Sequence, residues 1–111
     1  PDPQLTGAEV DVQLRDWDRF ASRFARLAAD VDVVIGPVVR DVAPLARPLG
    51  GDDYVFTLPW SLAGWAAVSL PAGTDPTTGL PLAVQIAAPR WHDHVALAVA
   101  AHLERAWAER G

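Results

Sequence analysis

The chain contains no cysteine, no methionine and no lysine, so all nine of its basic residues are arginine. Without cysteine there are no disulfides, no thiolate metal sites and no thiol nucleophile. A basic patch is missing too. The arginines are dispersed and the formal net charge is −5, a balance that repels nucleic-acid phosphates and anionic membrane surfaces. No apolar run approaches the roughly 20 residues that a membrane-spanning helix needs, and no signal-peptide pattern is present. The default compartment is then the cytoplasm. The first residue is Pro1 rather than methionine, which leads us to expect a fragment, a processed chain or, equally, a chain with trimmed ends.

What is present is a chain of 111 residues, half of them apolar. That suits one small domain or a piece of a larger one. Residues 1–111 read as a single unit, with no internal repeat or low-complexity tract. A chain of this length buries a modest share of its surface, so its stability alone is marginal.

Residues 6–29 predict an amphipathic helix. Thr6 and Glu9 make a capping-box pattern, each side chain serving a free backbone N–H of the first turn, and Leu5 and Val10 are placed as a hydrophobic staple. Val10, Leu14, Trp17, Ala21, Phe24 and Ala28 recur at helical spacing, with Phe20 and Leu27 widening the stripe. Val31 to Ile35 is a β-branched run that predicts a buried strand. Residues 36–52, punctuated by Pro37, Pro44, Pro48, Gly50 and Gly51, predict a loop. Residues 54–64 predict one short helix with Asp52 or Asp53 near its start, in which Pro59 is tolerated only in the first turn. Residues 66–70 and 80–87 predict two antiparallel strands across a link dense in turn residues, with Leu82, Val84 and Ile86 sharing one face. Asp93 is the expected N-cap of a last helix running from His94 to Glu109, with Val95, Val99, Leu103 and Trp107 as its stripe. The order helix, strand, loop, short helix, strand, strand, helix is an α/β layer pattern.

Candidate chemistry is sparse. The serines are Ser22, Ser61 and Ser69, and the histidines, the available bases, are His92, His94 and His102. A serine needs an adjacent base to become nucleophilic, and no spacing here pairs one with a histidine. No G-x-S-x-G elbow is present. Trp91-His92-Asp93-His94 offers two imidazoles and a carboxylate, yet it lacks a third spaced ligand and reads as a solvated helix start whose two rings point apart. Asp52-Asp53 reads as a complement to a helix dipole rather than as a catalytic carboxylate pair. Trp17 and Trp107, on helix stripes, are expected in the core. Trp60, Trp65 and Trp91 lie near breaks in structure, where aromatic residues serve either a pocket or a core.

The segment from Phe56-Thr57-Leu58-Pro59-Trp60-Ser61 through Ser69-Leu70-Pro71-Ala72-Gly73, and then Gly79-Leu80-Pro81-Leu82-Ala83-Val84-Gln85, resembles the C-terminal part of amidase-signature enzymes. These read "FT-x-P-x-N-x-x-G-x-P-A-x-S-x-P-x-G" and then "G-L-P-x-G-x-Q". Asp93 with Leu103-Glu104, and upstream Asp32 to Pro37 with Ala43-Pro44, fit the same pattern, so the resemblance covers roughly residues 10–107. Ser61 stands where the family usually has Asn, Ala66 where it has Pro, and Ala83 where it has Gly. Such changes suit a divergent member with altered substrate choice.

The resemblance implies a fragment of a mixed-sheet α/β fold and a Ser–cis-Ser–Lys hydrolase of carboxamide C–N bonds. In that family a lysine acts as base through a bridging serine, a second serine attacks the carbonyl, and backbone N–H groups stabilise the oxyanion. All of these lie upstream of the matched region, and this chain has no lysine. No catalytic residue carries over, no metal or cofactor is implied, and the chain alone is expected to be inactive. The partners implied are the remainder of the amidase domain and a small-molecule amide. Pocket walls are expected at Tyr54, Trp60, Ser61 and Trp65, with Tyr54 and Trp60 giving bulk and Ser61 one orienting hydrogen bond. The alternative is a non-catalytic interaction module that forms a homodimer through its open strand edges.

Overall fold

The computed structural model describes residues 4–110. Its elements in chain order are α1 (Gly7–Leu27), β1 (Val34–Pro37), a 3-10 turn (Gly51–Tyr54), α2 (Leu58–Ala63), β2 (Ala66–Thr74), β3 (Pro81–Ala88) and α3 (Asp93–Glu109). The α/β class and the order of elements are those read from the sequence.

Helix α1 opens on the expected capping box. The Glu9 N–H donates to the Thr6 hydroxyl at 3.2 Å, and the Thr6 N–H donates to Glu9 Oε2 at 2.7 Å. The Thr6 N–H first, and the Thr6 hydroxyl second, hold the Glu9 carboxyl below its ordinary pKa. The three-stranded sheet has the order β1-β3-β2 and is antiparallel throughout. Strand β3 is central. Pro71 and Gly73 bracket a register shift where β2 accommodates its proline, and Asp75 closes the following turn by accepting from the Thr78 N–H and hydroxyl.

Adjacent residues of β3 face opposite ways. Ile86 and Ala88 pack with Leu70 against Ala96 and Ala100 of α3, joined by Val84, Val99 and Leu103. Ala87 faces a second cluster built from Ala63, Trp65, Trp60, Val34 and the α1 residues Phe20 and Phe24, with Ala28 just beyond the helix. Period-2 alternation in the central strand thus positions α3 against one face and the aromatic cluster against the other.

Several expectations need correction. The strand expected at 31–35 lies at Val34–Pro37 and is an edge, with Ile35 51 % exposed, because pairing to β3 starts only at Val34 opposite Ala87. The helix expected at 54–64 is split into the 3-10 turn and α2. Pro59 falls in the first turn of α2, the one place where its missing N–H is tolerated. His92, not Asp93, occupies the N-cap of α3, and Asp93 is the first helical residue. Trp17 is half-exposed rather than core, its indole N–H donating to the Leu62 carbonyl, and Trp107 is also partly exposed.

Candidate functional site

The segment between β1 and α2 leaves the sheet at Pro37 and returns at Tyr54, and the space beneath it is an open groove of about 1870 Å³. Its floor is the start of β3, Pro81 to Val84, and its rim is residues 36–44 and 47–54 with Thr57. Gln85 sets the width of this loop. It is only 5 % exposed, and its amide NH₂ donates to the Pro37 carbonyl at 2.8 Å and to the Phe56 carbonyl. Both N–H bonds of one buried amide therefore tie the two ends of the loop to the central strand.

Charge pairs stiffen the rim. Arg47 grips Asp53 with both guanidinium NH₂ groups, at 2.9 and 2.7 Å, and Asp53 also accepts from the Gly50 N–H at 2.7 Å. The Arg47 hydrogen bonds first, and the Gly50 N–H second, hold the Asp53 carboxyl far below the usual carboxylate range. Asp53 in turn raises the Arg47 pKa. Arg40 meets Asp52 through a single contact of 3.1 Å between two well-exposed side chains, an arrangement that contributes little to stability. Asp52 and Asp53 lie in the first turn of the 3-10 helix, as expected, and are also partners of arginines. Nothing in the sequence singles out Arg40 and Arg47, since an arginine six or twelve residues from its aspartate in an irregular loop carries no periodic signal.

The four residues expected at a pocket do not converge on one cavity. Tyr54 is 45 % exposed on the groove rim. Trp60 and Trp65 lie in the aromatic cluster, their ring centroids 5.4 Å apart and each edge-on to Phe24 at 5.5 and 5.7 Å. The Trp60 indole N–H is buried with no hydrogen-bond partner among the described residues. Ser61 is exposed on α2, and its hydroxyl makes no hydrogen bond among the described residues. The His92 and His94 rings lie 5.9 Å apart, so they do not splay as expected. Among the groove-lining residues there is no serine, cysteine, histidine or lysine. The groove lining holds no serine or thiol nucleophile beside a base.

A family model described as Amidase matches residues 7–97. The chain belongs to the amidase family. The protein named "Putative amidase AmiA2" of Mycobacterium tuberculosis (strain H37Rv) is 34% identical over 85 residues, covering 67% of this chain and 17% of that protein. The A component of the glutamyl-tRNA(Gln) amidotransferase of Granulibacter bethesdensis is 38% identical over 96 residues, covering 78% of this chain and 18% of that protein. The crystal structure of the same amidotransferase component from Thermotoga maritima superimposes with a TM-score of 0.61 at 22% identity, over 80% of this chain and 20% of that one. That likeness establishes the shared amidase fold. The chain spans about a fifth of the length of the relatives it matches.

Proposed function

We propose that the chain is the C-terminal portion of an amidase that hydrolyses carboxamide C–N bonds, and that it supplies sheet scaffold and groove wall while the catalytic serines and lysine belong to the rest of the amidase domain. The observation that carries this reading is the groove itself. It is large, rimmed by ordered ion pairs and tied to the central strand by a buried glutamine, yet none of its lining residues is a serine, histidine or lysine. Tyr54 gives bulk at the rim. Trp60 and Trp65 pack with Phe20 and Phe24 of α1 in the aromatic cluster, and Ser61 offers a hydrogen bond on the exposed face of α2. Amide hydrolysis then needs a nucleophile and a base from outside these residues, and no metal or cofactor enters the scheme.

A chimera tests this, in which the chain replaces the matched 85-residue region of AmiA2. The chimera is expected to hydrolyse a simple aryl amide, and the 111-residue chain alone is not. A folded chimera with its lysine in place but no amide hydrolysis would count against the reading. A second reading, a homodimer-forming module, is favoured by the outer edges of β1 and β2, which are unpaired among the described residues. Sedimentation of the chain alone distinguishes it, since a monomer excludes that role.

A further inference from the structure

The charged residues that line the groove are Arg40, Asp41, Arg47, Asp52 and Asp53, so three carboxylates stand against two guanidiniums. Both guanidiniums already have partners. Arg47 gives both of its NH₂ groups to Asp53, at 2.9 and 2.7 Å, and donates again to the Pro48 carbonyl at 3.1 Å. Arg40 meets Asp52 at 3.1 Å. The remaining acid, Asp41, forms no ion pair among the described residues and accepts from the Val42 N–H at 2.8 Å. A ligand carboxylate in this groove would have to displace Asp53 from a bidentate pair and leave that aspartate without its partner. It would also face the uncompensated charge of Asp41. A ligand cation gains little in exchange, because Asp41 is exposed and exposed ion pairs are weak.

Between the charges the lining is apolar. Val39, Leu49, Tyr54 and Leu82 all remain 36 % exposed or more. Covering such surface is favourable in proportion to the apolar area removed from water. We propose that the groove selects amides whose acyl side chain is uncharged and apolar, and that Asp53, by occupying Arg47, is the residue that rejects anionic ones. This selection rests on the amidase reading and adds which amides it accepts. Asp53 acts through Arg47, since specificity is set as much by the charge left unpaired in the wrong complex as by contacts in the right one.

The chimera is assayed with three amides of nearly one shape: isocaproamide, which is uncharged, succinamate, which is anionic, and γ-aminobutyramide, which is cationic. The kcat/KM for isocaproamide is expected to exceed that for either charged amide by about 10-fold or more. Asp53→Asn frees Arg47 and is expected to raise the succinamate-to-isocaproamide ratio by about 10-fold, mainly through KM. Arg47→Gln frees Asp53 and is expected to lower the same ratio. Both variants break one pair, so a merely structural role would move the ratio the same way in each, and that result overturns the assignment to Asp53. Equal turnover of isocaproamide and succinamate, or a preference for γ-aminobutyramide, overturns the selection and leaves the amidase reading in place. If the folded chimera hydrolyses none of the three, an NMR titration of it with the same amides decides. Shifts at Tyr54 and Leu82 with isocaproamide but not with succinamate uphold the selection and remove the catalytic reading. No shift with either means that the groove takes no amide, and both fall.

Discussion

Gln85 is where a single side chain decides the shape of the groove. Replacing it with Ala removes two hydrogen bonds and leaves the Pro37 and Phe56 carbonyls without their donor. The expected cost is about 2–4 kcal/mol, read as a lower urea midpoint. Asp53 sets the acid response of the rim. Its folded pKa is depressed, so the Arg47–Asp53 pair contributes stability above the unfolded-state value of about 3.9 and loses it as the pH falls through the folded pKa. A carboxyl-detected NMR titration is expected to show Asp53 protonating well below the ordinary carboxylate range, and Arg47→Gln is expected to return it towards that range. An Asp53 that titrates in the ordinary carboxylate range in the wild-type chain would refute the pair. Gly64 is held by its positive φ and by the Arg90 guanidinium above it. Gly64→Ala is expected to destabilise by about 1 kcal/mol or more, again by urea unfolding.

At the scale of elements, α1 rests on its cap. Thr6→Ala removes the acceptor for the Glu9 N–H and is expected to cost about 1 kcal/mol, seen as lost helicity by circular dichroism. This cap was legible because it is local, with both partners three residues apart. Both long helices, the β2–β3 pair and the shared face of Val84 and Ile86 were legible for the same reason, as periodic patterns with clear turn residues between them. The placement of β1 was not, because its register is dictated by β3, far along the chain. The core face of α3 was only half legible. Val99 and Leu103 pack inward as expected, but Ala96 and Ala100 carry the contact, and a run of alanines hides which face is buried. The groove stayed invisible for a similar reason. Its floor and rim are distant in sequence and are joined by a glutamine whose motif matched the family but whose two acceptors are backbone carbonyls.

The whole molecule is spread thin. Its radius of gyration is 17.2 Å, against about 13 Å for a self-contained domain of this length. No residue of α1 is buried, although Val10, Leu14 and Trp17 carry an apolar stripe along it. An amphipathic helix draws most of its stability from a packed apolar face, so α1 is expected to exchange its amide hydrogens quickly in the chain alone and slowly in the chimera. The division of labour between wall and chemistry has a sharper test. In an active chimera, Ser22, Ser61, Ser69, His92, His94 and His102 are replaced with Ala one at a time and kcat is measured on an aryl amide. A change of no more than about threefold is expected at every position, with the effect of Ser61→Ala confined to KM. A loss of about 100-fold or more in kcat at any one of the six would place a reacting group within this chain and contradict its role as scaffold and wall.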